Sequence, residues 1–452
     1  MNRRVDSSLT VAERRSAMRL ANWNAAIWAI GNGLVGTTLV IYLARQLGAD
    51  GVAIGWIVAA PHLAGALRLL APVLARRWGG RKRFCVAMYA ASGAVLAALP
   101  VVCAPGVLAN ADESLVALVA LWCAYHLLEY LATVALWSWL GDLVPSPIRG
   151  RFIGRRERAL TLARIVGLLA GGQIADRWVA AHQADAASDW IGYALAAALG
   201  VVFLLAAVVP LVKMPHPRRR GDAAQRPNAI GVWSALAAML APLVDRRYRP
   251  LVAFGCWFSF CNGLAQAPQY LFQTRVLDLT LTAVVVMQTA MRLGQSAISP
   301  MLGRVADRGR STAMMMTSQA IVASSTLFFY AATPETWAWF AGAHLAWIAY
   351  AGLNVGLPRL MLNLAPGGSA NHVAAYFATT GVVFAAGSLV GGHWFEKLAE
   401  APEWLSAIPG VEDRYDLFFL GSAALRMLSV VWLARIVETC GRAAVRGNQS
   451  SG

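Results

Sequence analysis

Acidic side chains are scarce: 23 Asp and Glu stand against 39 Lys and Arg, and charged residues of both signs make up only 14% of the 452 positions. That excludes an ordinary soluble domain, in which about a quarter of residues are charged. The apolar stretches "AIWAIGNGLVGTTLVIYLA", "WIGYALAAALGVVFLLAAVVPLV" and "LVALVALWCAYHLLEYLATVALWSWL" lack the period-two alternation of a membrane β-barrel. The six cysteines, Cys85, Cys103, Cys123, Cys256, Cys261 and Cys440, fall in no paired spacing, so no disulfide framework or zinc site is expected. No Walker A sequence is present, which leaves ATP out as a direct energy source. His126 and Glu129 form His-x-x-Glu, but the motif ends in Tyr130 where zinc enzymes have a second His, and no cluster supplies further ligands. With no nucleophile beside a base, an intramembrane enzyme ranks last, and neither a metal nor a cofactor is expected.

What is abundant is hydrocarbon: 58% of residues are hydrophobic and the mean hydropathy is +0.53. Lipid offers backbone amides no partners, so such a chain spans a bilayer as helices of about 20 residues. We place twelve spans near residues 20–46, 52–75, 84–103, 115–140, 159–178, 190–212, 250–274, 282–303, 311–333, 336–362, 373–396 and 415–437. The first is too long for a signal-peptide core and is expected to stay attached. Of the 39 basic residues, 29 lie in the N-terminal tail, the even-numbered loops and the C-terminal end from Arg435. Only Arg45, Arg177, Arg275, Lys397 and Arg414 flank the opposite ends. The net charge of +16 is therefore topology rather than a nucleic-acid footprint, with both termini cytoplasmic and an inner-membrane location of the bacterial type.

The spans divide into a six-helix bundle, 1–212, a cytoplasmic linker, 213–249, and a second bundle, 250–452. Within the linker, "IGVWSALAAMLAPLV" is too short to span and is expected to lie on the membrane surface. The halves repeat. "PVLARRWGGR" matches "PMLGRVADRGR" at an offset of 228, "GGQIAD" (171–176) matches "GGHWFE" (391–396) at an offset of 220, and "DLVPSPIRGR" corresponds to "NLAPGGSANH". The expected fold is all-α, with twelve transmembrane helices in two pseudo-symmetric bundles, an arrangement suited to one bundle rocking against the other about a mid-membrane site.

On these motifs the chain resembles the major facilitator superfamily over nearly its whole length. The family's loop signature, roughly Gly-x-x-x-Asp-Arg-x-Gly-Arg-Arg, is approached after the eighth span by Gly303, Asp307, Arg308, Gly309 and Arg310. The first-half copy keeps Arg76, Arg77, Gly80, Arg81 and Lys82 but has no acid. "DLVPSPIRGRFIGRR" is similar to the family's Arg-Gly-Arg turn. The resemblance thus implies gating roles for Asp142, Arg149 and Arg151, together with Arg76, Arg81, Asp307, Arg308 and Arg310. It also implies a functional monomer. The fifth span's "GLLAGG" is similar to an antiporter motif, with Leu168 in place of its proline; close helix packing is the other reading of its glycines.

Four amides, Asn262, Gln266, Gln269 and Gln273, are spaced 4, 3 and 4 residues apart. At about 100° per residue they form one stripe along a helix. Trp122, His126, Glu129 and Thr133 repeat that spacing in the fourth span, His344, Trp347 and Asn354 share a face of the tenth, and Asn24, Trp28 and Asn32 share one of the first. The family resemblance implies that the first, fourth, seventh and tenth helices line the solute cavity. Interhelical hydrogen bonding is the alternative use of such a stripe. Amides beside aromatic rings suit a neutral polar solute, sugar-like or a drug-like amphiphile. Glu129 is the one acid placed near mid-bilayer, where a charge costs at least about 2.5–3.5 kcal/mol. Taking up a proton removes that cost and an approaching guanidinium restores the ionised form, the alternation a proton-coupled carrier needs. Arg164 on the next span is the nearest candidate partner, with Arg292 second; Arg68, Arg359 and Arg426 also lie within apolar runs. The sequence thus points to a secondary transporter of a small polar or amphiphilic solute, coupled to a proton or another ion. A multidrug-type exporter and a non-transporting receptor or scaffold are the alternatives.

Overall fold

Thr10 starts the first helix: its hydroxyl accepts from the Glu13 amide at 3.2 Å while the Glu13 carboxylate accepts from the Thr10 amide at 2.7 Å. This reciprocal capping box satisfies two amides that the first turn leaves unpaired. Asn110 Oδ1 accepts from the Glu113 amide at 2.8 Å, a side-chain cap. The computed structural model describes residues 9–67, 71, 74–75, 78, 80–145, 148–182, 188–215, 243–364, 370–400, 403, 405 and 407–434. Most of the expected surface helix at 230–244 lies outside them.

Along the first half run α1 (Val11–Leu34), α2 (Thr37–Gln46), α3 (Gly51–Leu67), α4 (Arg81–Ala97), α5 (Leu99–Val102), α6 (Ala111–Leu143), α7 (Arg149–Ala181), α8 (Asp189–Ala206) and α9 (Val208–Lys213). Along the second run α10 (Arg249–Leu264), α11 (Gln266–Leu271), α12 (Leu281–Val305), α13 (Ser311–Ala331), α14 (Ala338–Ala346), α15 (Tyr350–Leu364), α16 (Ala370–Leu398) and α17 (Arg414–Ala434). Each of the twelve expected spans overlaps one or more of these helices. Among the described residues, eight helices are long and apolar enough to cross a membrane. Of the others, α3 is apolar but shorter among the described residues, and α10 is separated from α11 by a break. Between α10 and α11 the break follows from Pro268, which has no N–H to give the Leu264 carbonyl. A single π-turn (272–276), closed by the Leu277 amide on the Phe272 carbonyl at 3.0 Å, then ends the segment.

By their contacts the residues group into two compact units: Met1–Ala49, Leu67–Ile230 and Thr280–Val285 form the first, and Asp50–Ala66, Gly231–Leu279 and Val286–Gly452 the second. Compared with the halves expected from sequence, α3 and the start of α12 are exchanged.

Within the first unit α1 crosses α7 at glycines. A Cβ on Gly167 would strike the Ile30 carbonyl, and one on Gly171 would lie 3.2 Å from that of Leu34. Within the second unit α10 crosses α16 likewise, Gly387 against the Phe260 carbonyl and Gly391 against that of Leu264. The glycines are related by 220 positions and the carbonyls by 230, so the internal repeat is a repeat of backbone crossings. The "GLLAGG" glycines are packing positions.

The same helices also hold the exchanged segments. On α7, Gly172 approaches Thr282, and the Asp176 carboxylate accepts from the Thr282 amide at 2.9 Å. On α16, Gly392 approaches Gly51, and the Glu396 carboxylate accepts from the Gly51 amide at 2.6 Å. Each acid thus meets the positive end of a helix dipole, at equivalent repeat positions.

Candidate functional site

In the second unit a cavity of about 190 Å³ is lined by Gln266, Gln269, Tyr270 and Gln273, by Gln288 and Met291 of α12, and by His344, Trp347 and Tyr350. Three of the four stripe amides therefore face one space, although the helix carrying them is broken. The fourth, Asn262, accepts from the Tyr350 hydroxyl at 3.2 Å and so holds one wall of the cavity. Gln266 Nε2 donates to Gln269 Oε1 at 3.5 Å. Gln269 and Gln273 are only 3% and 4% exposed, yet Gln269 Nε2 and Gln273 Oε1 have no hydrogen-bond partner among the described residues. Trp347 Nε1 has none either. An unsatisfied buried polar atom costs about 1–3 kcal/mol, so a donor–acceptor pair left open beside a cavity is a ready recognition element.

Aromatic and backbone contacts fix these walls. His344 is buried, its Nδ1 3.2 Å from the Phe340 carbonyl, and its ring meets Trp347 edge-on at 4.9 Å. A 3₁₀ turn (Trp347–Ala349) interrupts the span here, and Gln295 Nε2 donates to the Trp347 carbonyl at 2.9 Å. No charged side chain is among the lining residues. Behind them Arg426 of α17 is 1% exposed, and its Nε and Nη1 have no partner among the described residues. Asn354 is exposed on α15 and Arg292 is exposed on α12, and neither lines the cavity.

The first unit carries a different cluster. Trp122, Tyr125, His126 and Glu129 are buried on one face of α6. Trp122 stacks on Tyr125 at 5.4 Å and meets His126 edge-on at 4.4 Å. Glu129, 5% exposed, accepts from the Thr133 hydroxyl at 2.7 Å, and Thr133 lies 2.8 Å from the Tyr89 hydroxyl. Asn32 Nδ2 donates to the Tyr125 hydroxyl at 3.3 Å. Arg164 lies over the Trp28 ring at 5.6 Å. Asn24 is turned elsewhere, donating to the Ala207 carbonyl at 2.8 Å as a helix-packing bond.

Of the residues assigned to gating, Arg81 and Asp142 form an ion pair at 2.6 Å, and Arg81 also donates to the Ser138 carbonyl and hydroxyl at 3.0 and 2.9 Å. Arg308 and Arg310 are exposed on a π-turn after α12. Arg76 lies outside the described residues, as do the side chains of Arg149, Arg151 and Asp307.

A family model for the Major Facilitator Superfamily matches residues 23–392. The chain belongs to that superfamily. It is accordingly a membrane-embedded secondary transporter and not an enzyme. No curated protein matches the sequence. Similar folds occur in the nucleoside transporter NupG (14% identity, TM-score 0.62, 94% of this chain and 98% of the other) and a D-xylose-proton symporter (14%, 0.63, 94% and 98%). A third is a bacterial homologue of the human lysosomal transporter Spinster in its inward-facing, occupied conformation (11%, 0.65, 94% and 97%).

Sequence reasoning missed Tyr270, Gln288, Met291 and Tyr350 as cavity residues of this superfamily member. Gln288 and Met291 are spaced three apart on α12, a weak signal; Tyr270 is next to Gln269 and shows only once the helix is broken.

Proposed function

We propose that this superfamily member carries a small neutral polar solute across the bacterial inner membrane by alternating access, coupled to protons through Glu129. The observation that carries the solute class is the buried, unpartnered amide pair of Gln269 and Gln273 beside an uncharged, aromatic-walled cavity. Such a space favours hydroxyls that both donate and accept, over rings that stack on aromatic faces. Asn262, Gln266, His344 and Trp347 act with this pair in the second unit, and Trp28, Asn32, Trp122 and His126 contact solute in the first.

Proton coupling is supported by a buried carboxylate, Glu129, within reach of a hydroxyl pair, by the cation Arg164 over Trp28 in the same unit, and by the likeness to a D-xylose-proton symporter. In this reading Arg81 and Asp142 close the cytoplasmic side. Residues 1–212 and 250–452 act as the two bundles joined by 213–249, both termini are cytoplasmic and the carrier works as a monomer. The test is a thermal-stability screen of neutral polyols, nucleosides and cationic drugs, followed by uptake into proteoliposomes with and without an inward proton gradient. Stabilisation and gradient-driven uptake of a neutral hydroxylated solute are expected. Stabilisation by cationic drugs alone overturns the solute class, and gradient-independent uptake overturns the coupling.

A further inference from the structure

A second and larger cavity, about 560 Å³, opens in the first unit between the start of α1 and the start of α7. Its lining is Arg15, Met18, Arg19, Asn22 and Trp23 from α1, and Ile148, Phe152 and Arg155 from the other side. Three guanidinium groups converge there and no acid is in the lining. Elsewhere in the molecule Arg81 and Arg414 find carboxylates, Asp142 at 2.6 Å and Glu396 at 3.1 Å. Arg15, Arg19 and Arg155 make no ion pair with a described residue. Arg15 and Arg19 stand one helical turn apart, a spacing at which like charges repel by a few tenths of a kcal/mol unless an anion sits between them.

The remaining lining gives the anion a shape. Met18, Ile148, Phe152 and Trp23, the last 60% exposed, make apolar walls beside the charged rim. Asn22 Oδ1 is buried and has no partner among the described residues, so it is open to a hydroxyl carried close to the charge. Guanidinium forks match phosphate oxygens in pairs, and basic pockets between membrane helices take phospholipid headgroups. We propose that Arg15, Arg19 and Arg155 form a binding site for a phosphate group flanked by hydrocarbon and a hydroxyl, as in a glycerol-bearing anionic phospholipid. Its lining shares no residue with that of the solute cavity, and it is independent of the solute's identity.

The experiment follows thermal unfolding of the full-length protein in detergent with added phosphatidylglycerol, with phosphatidylcholine, or with glycerol 3-phosphate alone. Phosphatidylglycerol is expected to raise the midpoint by several degrees over phosphatidylcholine, and Arg15→Gln/Arg19→Gln/Arg155→Gln to erase that difference. Arg83→Gln/Arg158→Gln, which removes two exposed charges outside the cavity, is expected to retain it. Stabilisation by glycerol 3-phosphate equal to that by the lipid supports the phosphate site and assigns it to a soluble ester. Should the triple variant fail to fold, Arg19→Gln alone is compared with the parent for co-purified anionic lipid by native mass spectrometry, with at least a halving expected. Equal response of parent and variant to the lipid, or no response to any phosphate, overturns the proposal.

Discussion

The two units share a skeleton and differ in chemistry. In both, a helix near the start of the half crosses a later one through glycines set against carbonyl oxygens, and in both an acid five residues beyond the second glycine holds a helix N-terminus. The polar faces have diverged. The first unit buries a carboxylate and an aromatic cluster, with the half-buried guanidinium of Arg164 over Trp28; the second presents neutral amides around a cavity, with its buried Arg426 set behind them. Backbone geometry has been copied while side-chain function has separated. In the proposed division of labour, the first half handles charge and the second handles shape.

The strongest way to test that comparison is to attack what the units have in common. Gly167→Leu and Gly387→Leu drive side chains into the Ile30 and Phe260 carbonyls, and both should abolish recovery of monodisperse protein in size-exclusion chromatography. Even alanine at either position should cost about 1–3 kcal/mol, read as a lowered Tm. Damage at one crossing alone would show that they are not equivalent.

Next comes the difference between the units. Glu129→Gln should eliminate proton-driven accumulation in proteoliposomes and leave solute exchange partly intact; unaltered accumulation removes Glu129 from coupling. Gln269→Ala should instead weaken both modes, raising KM for exchange about five- to tenfold, the worth of one hydrogen bond of about 1–1.4 kcal/mol. A variant that changes accumulation but not exchange KM would contradict its role in binding.

Smaller effects sharpen the comparison at the acid caps. Asp176→Asn and Glu396→Gln should each lower stability by about 0.5–2 kcal/mol in thermal unfolding. Glu396 should lie at the upper end because it also accepts from Arg414 at 3.1 Å. The smallest change is expected from Arg426→Met. Replacing a buried, incompletely bonded charge by an apolar side chain of similar length should leave Tm unchanged or raise it, and a fall of several degrees would show that the guanidinium supports the core.

Helix class, span positions and the repeat were legible because hydrocarbon length and glycine spacing are local properties of the chain. The amide stripe was legible for the same reason, and Gln266, Gln269 and Gln273 do share a cavity. Asn24 shares its spacing with Trp28 and Asn32 but bonds Ala207, because periodicity gives a face without saying which neighbour that face meets. Asn354, ten residues and about three helical turns beyond His344, ends exposed because a 3₁₀ turn intervenes and resets the phase. The pairing of Arg81 with Asp142 joins residues far apart in the chain, and spacing carries no trace of it.

The break at Pro268 has an evolutionary consequence. It divides one span into a stem committed to the glycine crossing and a short second piece that bears Gln266 and Gln269. On the proposed reading of the site, substitutions in the second piece change what is recognised without disturbing the joint beside it, so descendants of this chain can drift toward new cargo while inheriting the same helix crossing.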